Sequence, residues 1–195
     1  MIDYLKKFYL DERTAFVVGG LGLIGREIST AMALAGADTV ILDLEKGKGE
    51  VLADELSRIG LKASFRVFDC ADMNNLELNY SKIKNEFGSP DVFINCSYPR
   101  TDDWGKNSFQ NVTLSSFRNN VDIHMNSYAW LARLAAESMK AEGRNGSIIQ
   151  LGSIYGILGQ DLTVYEGTKM HENMTYTAIK GGITNLTRQM ASYYG

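Results

Sequence analysis

The chain has 195 residues, a formal net charge of −3, and 45% apolar and 22% charged residues, which is typical of a soluble globular protein. The sequence contains no run of basic residues, so we do not expect nucleic acid as a partner. No apolar stretch reaches the roughly 20 residues that span a bilayer, so we expect no membrane partner either. Residues 1–13 lack the apolar core of a signal peptide, so we expect a cytoplasmic protein. The two cysteines, Cys70 and Cys96, fit no metal-ligand spacing, and we expect no metal.

Short apolar runs alternate with helical patterns along the chain. Strands are predicted at 14–18, 39–42, 63–68, 92–94 and 147–151. Helices are predicted at 24–35, 49–59, 76–87, 114–142 and 177–194, and residues 164–176 look irregular. Apolar strands between amphipathic helices indicate an α/β fold, with a doubly wound parallel sheet of the Rossmann type. We expect one domain over residues 1–195.

A glycine-rich turn joins the first predicted strand to the first predicted helix. Gly19, Gly22 and Gly25 have the spacing GxxGxxG. The physical uses of such glycines are a tight turn, close approach of backbone to a pyrophosphate, and close packing of helix on strand. A glycine-rich turn without a ligand is the alternative. Its position between a strand and a helix favours a dinucleotide-binding turn, and the predicted domain is therefore an NAD(P)-binding one.

Acidic residues follow the second and third strands. A carboxylate at Asp43 can accept hydrogen bonds from adenosine ribose hydroxyls and repels a 2′-phosphate, which favours NAD over NADP. Lys46 and Lys48 partly offset that repulsion, and a simple capping role for Asp43 is the alternative. Asp69 is placed to bond the adenine edge, or else is a turn acid with Asp72.

Two Tyr-x-x-x-Lys segments lie close together, at Tyr165–Lys169 and Tyr176–Lys180. Residues four apart share one face of a helix, and a neighbouring ammonium stabilises a phenolate, so either tyrosine could exchange a proton. Only Tyr176 lies at a predicted helix, because the first segment contains a glycine and no amphipathic pattern follows it. Context therefore favours Tyr176.

The segments 19–25, 91–95, 146–153 and 176–188 together resemble the short-chain dehydrogenase/reductase family. The resemblance implies an enzyme that acts on CH–OH groups and moves a hydride between nicotinamide and an alcohol or ketone. Ser153 would position the substrate oxygen, Tyr176 would transfer the proton, and Lys180 would also hold the nicotinamide ribose. The usual serine–tyrosine spacing fits Tyr165, which is 12 residues from Ser153 where Tyr176 is 23. We therefore expect an insertion of about ten residues before Tyr176.

The same resemblance implies a set of cofactor-binding residues and a proton relay. In the long helix, His124 falls where the family often has a relay asparagine, with Asn126 as a fallback and ordinary packing as the alternative. After the fourth strand Tyr98 and Pro99 replace smaller residues and predict a shaped wall. The cofactor-binding set is Gly19, Gly22, Leu23, Ile24, Gly25, Asp43, Leu44, Asp69, Cys70, Asn95, Cys96, Ser97, Tyr176 and Lys180.

A narrower resemblance, over 95–100, 165–168 and 176–183, is to the flagellin-modification protein A subgroup. It implies a small sugar-like substrate, either a sugar phosphate or a nucleotide-activated sugar. The wider family resemblance implies a homodimer or homotetramer. Two other functions use the same site: an NAD-retaining sugar epimerase or dehydratase, and a non-catalytic NAD-sensing partner. Members of the family are usually longer, so we expect the last strands of the fold to be missing.

Overall fold

The computed structural model describes residues 4–195 and contains a five-stranded sheet in the order β3-β2-β1-β4-β5. β1 pairs in parallel with β2 and β4, and β2 pairs in parallel with β3. The chain moves outward from β1 to β3 and then returns to the other side of β1, so the order reverses between β1 and β4. The strands are Thr14–Val18 (β1), Asp38–Asp43 (β2), Ala63–Val67 (β3), Val92–Asn95 (β4) and Ser147–Gln150 (β5). The predicted doubly wound parallel sheet is confirmed.

Within residues 4–195, six α-helices lie between or after these strands, and several differ from the predicted bounds. They are Leu23–Leu34 (α1), Lys46–Arg58 (α2), Leu76–Phe87 (α3), Leu114–Asn120 (α4), Ser127–Ala141 (α5) and Met174–Tyr194 (α6). The helical stretch predicted over 114–142 is confirmed, and a π-helical segment at Val121–Asn126 lies within it between α4 and α5. Short 3-10 turns lie at Tyr4–Phe8, Trp104–Lys106, Ile154–Gly156 and Leu162–Tyr165.

The last helix begins earlier than predicted, at Met174 instead of Thr177. Asn173 caps it, with its side-chain oxygen accepting a hydrogen bond from the Tyr176 N–H at 2.8 Å. An apolar period cannot locate such a cap, because the first turn of a helix need not contain any buried residue. Tyr176 therefore lies inside the first turn of α6.

The described residues form two compact units. The first contains the chain up to Cys70 together with Asn74–Ser97 and Leu131–Ile149, and the second contains Ala71–Met73, Tyr98–Trp130 and Gln150–Gly195. The expectation of one domain stays a prediction. In the first unit, apolar residues of α1 and α2 pack on β2 and β3, namely Ala33, Ile41, Leu52, Ala53, Leu56 and Phe65. In the second, a core forms around Tyr128, Ile179 and Ile183, with Trp104, Val121 and Met125 packed against it. No helix within residues 4–195 has the length and apolar character to cross a bilayer.

Candidate active site

The turn after β1 brings the carboxyl ends of β1 and β4 together. Gly19 has a φ of 73°, and its N–H donates to the Leu42 carbonyl at 2.8 Å. A Cβ on Gly19 would lie 2.6 Å from the Ser97 Cα, which is closer than any side chain permits. Glycine is therefore required both by the positive φ and by the neighbouring backbone.

The start of α1 has the features of an anion site. A Cβ on Gly25 would lie 2.0 Å from the Gly19 carbonyl oxygen, so this glycine lets the helix pack on the turn. Gly22 is the N-cap residue of α1, and it has no side chain that could accept a hydrogen bond from the first N–H groups of the helix. A Cβ there would meet only the Gly19 oxygen, at 3.4 Å. Leu23 and Ile24 are 95% and 58% exposed. The helix thus presents uncapped N–H groups at an open surface, and these residues fit a dinucleotide pyrophosphate.

Asp43 ends β2 beside this turn and is already hydrogen-bonded to the backbone. Its two carboxylate oxygens accept from the Leu21 N–H at 2.9 Å and from the Leu44 N–H at 2.7 Å. Both contacts fix the carboxylate beside the glycine turn, and it keeps further lone pairs for hydroxyl donors. Asp43 does not cap α2, whose N-cap residue is Glu45, and the ribose role stays a prediction. Leu44 is exposed next to it.

The predicted contacts after β3 and β4 divide into buried and exposed residues. Asp69 is exposed, whereas Asn95 and Ser97 are buried, and the Asn95 side-chain oxygen accepts hydrogen bonds from the Ser97 N–H and hydroxyl. Burial raises the pKa of Cys70 and of Cys96 to about 11 each. Both thiols are therefore protonated at neutral pH, which argues against a nucleophilic role. No group of residues suited to hold a metal ion occurs in the described part of the chain.

In the second unit, Tyr176 and Lys180 lie one turn apart on α6. The Lys180 ammonium is 3% exposed and donates to the Leu151 carbonyl at 2.7 Å. Its Nζ lies 5.9 Å from the centre of the Tyr176 ring and 5.1 Å from that of the Tyr128 ring. Burial lowers the pKa of Lys180 to about 8. The cation is thus held between a backbone carbonyl and two aromatic rings.

Ser153 is brought towards α6 by a glycine in the turn that follows it. The Ser153 hydroxyl accepts from the Tyr155 N–H at 3.1 Å and starts the 3-10 turn Ile154–Gly156. A Cβ on Gly156 would lie 2.6 Å from the Lys180 carbonyl oxygen. This close approach holds the serine turn against the helix that carries Tyr176.

His124 lies in the π-helical segment and is fully buried, and neither ring nitrogen has a hydrogen-bond partner among residues 4–195. Burial, and then the charge of Lys180, lower the pKa of His124 to about 3. The ring is therefore neutral at physiological pH. A Cβ on Gly182 would lie 2.4 Å from the Met125 sulfur, so this glycine lets α6 approach the π-helical segment. The fallback residue, Asn126, donates instead to Asp122 at 2.9 Å.

The rival pair Tyr165–Lys169 does not form a helical turn. Tyr165 ends a 3-10 turn, Gly167 has a φ of 71°, and Lys169 is exposed. A hydrogen bond to Tyr155 raises the pKa of the Tyr165 phenol, so that phenol is a weaker acid than usual. The two side chains do not share a helix face.

Aromatic residues around Tyr176 were only partly foreseen. The Tyr98 ring lies edge-on to the rings of Tyr176, Trp104 and His124, with centroid separations of 6.1, 5.7 and 5.2 Å. The Trp104 ring lies 6.4 Å from that of Tyr176. The sequence flagged the bulk of Tyr98, but its only signal for Trp104 was a large aromatic in a polar loop.

Known proteins share both the sequence pattern and the fold. The family model described as short chain dehydrogenase matches residues 13–195. Post-translational flagellin modification protein A of Campylobacter coli is 24% identical over 93% of this chain and 71% of its own length. L-rhamnose 1-dehydrogenase (NAD(P)(+)) of Azotobacter vinelandii is 27% identical over 95% and 69%. Other relatives are named for alcohols that are not sugars, such as cis-4-hydroxycyclohexanecarboxylate.

A solved structure matches nearly the whole chain. It is a gluconate 5-dehydrogenase from Burkholderia cenocepacia in complex with NADP and tartrate. Its TM-score is 0.81 and its identity 24%, and the match covers 98% of this chain and 69% of that one. At this identity the match establishes the shared fold alone.

Proposed function

The chain is an oxidoreductase of the short-chain dehydrogenase family, and on that premise we propose that Tyr176, Lys180 and Ser153 carry its reaction on a CH–OH group or ketone. The observation that supports this most is the buried Lys180 one helical turn from Tyr176, with the Ser153 turn packed against the same helix. Lys180 makes no ion pair among residues 4–195, and burying such a lysine costs folding free energy, so its position beside a tyrosine supports a functional role.

Proton transfer is assigned to the Tyr176 phenol. The Lys180 ammonium stabilises its phenolate form, and the Ser153 hydroxyl donates to the substrate oxygen. His124 is neutral, since its pKa is about 3. It therefore takes part in a relay only as a hydrogen-bonding ring that binds water, and not as an acid that gains and loses a proton at neutral pH.

The glycine turn and Asp43 would hold the dinucleotide, with NAD preferred over NADP. When bound, the nicotinamide supplies the hydride acceptor or donor. The preference for NAD is supported by the Asp43 carboxylate, which is fixed by two N–H groups beside the turn and repels a 2′-phosphate. Asp43→Ser should lower the ratio of kcat/KM for NADH over NADPH by about tenfold. Asp54→Asn, which removes an exposed charge elsewhere on α2, is the control.

The proposed substrate is the alcohol or ketone of a sugar phosphate or nucleotide-activated sugar, and we place the enzyme in the cytoplasm as a homodimer or homotetramer. The resemblance to a flagellin-modification protein and to a rhamnose dehydrogenase supports the sugar class. Because another relative is named for cis-4-hydroxycyclohexanecarboxylate, which is not a sugar, the broader proposed substrate class is that of cyclic alcohols.

A spectrophotometric screen tests the function directly. Purified protein is incubated with NADH or NADPH and with keto forms of sugar phosphates and nucleotide sugars. Net oxidation of the cofactor supports the dehydrogenase. Product formation without net cofactor change indicates the cofactor-retaining epimerase or dehydratase, and cofactor binding without any product indicates the non-catalytic sensor. Either of the last two outcomes contradicts the proposal.

A further inference from the structure

Tyr98 and Trp104 form an aromatic wall beside Tyr176. The three rings are mutually edge-on, with centroid separations between 5.7 and 6.4 Å. Tyr98 is 42% exposed, and Trp104 is partly buried against the core around Tyr128. Large aromatic surface that stays open to solvent forgoes hydrophobic stabilisation, so the open face of this wall is available to an apolar surface brought by a ligand.

The wall is held in place by a buried polar network. The Asn120 side chain accepts from the Thr101 N–H at 2.9 Å, and it donates to the Ser116 carbonyl at 2.9 Å. The Asn107 side chain donates to the Ser116 hydroxyl and accepts from the Thr175 hydroxyl. Asn107, Asn120 and Thr175 are fully buried. The loop that carries Tyr98 and Trp104 is thereby fixed to α4 and to the start of α6.

One side chain links the wall to the tyrosine itself. Asn173 accepts from the Tyr176 N–H at 2.8 Å and donates to the Trp104 carbonyl at 3.2 Å. The position of Trp104 relative to Tyr176 is therefore set by hydrogen bonds as well as by packing. A preorganised face of this kind lowers the entropy lost when a ligand binds.

A cation lies at the edge of the wall. The Arg100 guanidinium lies 5.5 Å from the centre of the Tyr98 ring, and it makes no ion pair with any residue of the described chain. It is exposed. A guanidinium stacked on an aromatic ring keeps its N–H groups free to form charge-assisted hydrogen bonds with a phosphate or carboxylate.

We propose that Tyr98, Trp104 and Arg100 form the substrate-recognition face of this enzyme, and that they select a cyclic alcohol or ketone bearing an anionic group. The C–H face of the ring packs on Tyr98 and Trp104, and Arg100 binds the anion. The assignment rests on the proposed function for the identity of Tyr176 as the reacting group.

Binding is measured apart from turnover through Trp104 fluorescence. The chain has two tryptophans, so Trp130→Phe leaves Trp104 as the single reporter. Four probes separate ring from charge: glucose 6-phosphate, glucose, glucitol 6-phosphate and glucitol. We expect glucose 6-phosphate to bind tightest, with about tenfold weaker binding of the open-chain phosphate and about fivefold weaker binding of the uncharged ring.

Variants in this background assign each preference to a residue. Tyr98→Leu should abolish the ring preference and Tyr98→Phe should keep it. Arg100→Met should abolish the phosphate preference. Arg188→Met, which removes an exposed arginine on α6, should keep it. The proposal is overturned if Trp104 emission does not respond to glucose 6-phosphate, if ring and open-chain probes bind equally, or if Tyr98→Leu leaves the ring preference intact.

The cofactor assay on the same variants keeps the two proposals distinct. Ring and phosphate preferences without hydride transfer to any sugar would leave the recognition face standing and remove the dehydrogenase assignment. Turnover that does not depend on the ring or the charge of the substrate would support the dehydrogenase assignment and overturn the recognition face.

Discussion

The two Tyr-x-x-x-Lys segments have the same pattern 11 residues apart, yet the structure gives them different environments. Tyr165 ends a 3-10 turn and Lys169 is exposed in the loop that follows, whereas Tyr176 and Lys180 lie on α6 and Lys180 is 3% exposed. Four-residue spacing aligns two side chains only in a helix, and an ammonium acts strongly on a phenol only where water is excluded. A Tyr-x-x-x-Lys segment therefore places the ammonium to act on the phenol only when it lies in a helix and its lysine is buried.

The largest expected effect separates the two tyrosines. Tyr176→Phe should lower kcat about 1,000-fold, because it removes the proposed proton-transferring hydroxyl while keeping the ring. Tyr165→Phe, the matched control, should change kcat less than about twofold, since the Tyr165 phenol bonds to Tyr155 and shares no helical turn with a lysine. Steady-state kinetics on any substrate found in the screen measures both. A large loss in Tyr165→Phe alone would reverse the assignment.

The next effect concerns the two lysines and pH. Lys180→Met should lower kcat about 100-fold, because the phenolate loses its nearby cation. Activity that needs the charged form of Lys180 is present below its pKa and is lost as the pH rises through about 8. The wild-type kcat should therefore fall above pH 8. Lys169→Met should keep both the rate and this alkaline limb, and its loss there would contradict the assignment.

A third effect tests the buried surroundings of the second motif at acid pH. His124 has a pKa of about 3 in the folded protein, against an ordinary value near 6.5. The unfolded chain therefore binds the proton first, and the folded protein should lose up to about 1.4 kcal/mol of stability per pH unit below about 6. The free energy of unfolding falls as the pH falls because the unfolded state binds more protons than the folded state. Denaturant unfolding of wild type and His124→Asn measures it, with His171→Asn, at an exposed histidine, as the control. An equal acid dependence in wild type and His124→Asn would refute it.

The smallest effect concerns the Asn173 cap at the start of α6. Asn173→Ala should destabilise the protein by about 1 kcal/mol, because it removes the cap of α6 and the bond to Trp104. It should also raise the substrate KM with little change in kcat. Asn173→Asp keeps the accepting oxygen and should restore the stability but not the contact with the Trp104 carbonyl. Wild-type stability in the alanine variant would show that the cap is dispensable.

Much of the fold could be predicted from local patterns. The five strands, the sheet class and the glycine turn follow from apolar runs that alternate with amphipathic ones, since a strand buried on both faces leaves a continuous apolar signature. The π-helical segment at Val121–Asn126 escaped prediction, because its residues continue the apolar pattern of an α-helix. The start of α6 was misplaced because the prediction followed the apolar period and overlooked Asn173, whose residue type is favoured at an N-cap.

The sequence predicted which residues form the candidate site, but it predicted only part of the environment around them. Ser153, Tyr176 and Lys180 were named from motif and context, and their roles stay predictions. The near-neutral pKa of Lys180 and the neutral form of His124 at physiological pH could not be foreseen, because desolvation depends on every element packed around a group. Trp104 was missed for the same reason, since its contact with Tyr176 joins residues far apart in the chain.

The sequence by itself determined the parallel sheet, the glycine turn that we propose holds the dinucleotide, and the presence of two rival Tyr-x-x-x-Lys segments. Only the tertiary structure decided which segment is buried on a helix and which aromatic rings surround it. The physical reason is that periodicity and turn chemistry are local, whereas burial, pKa shifts and aromatic contacts arise when distant segments exclude water from one another.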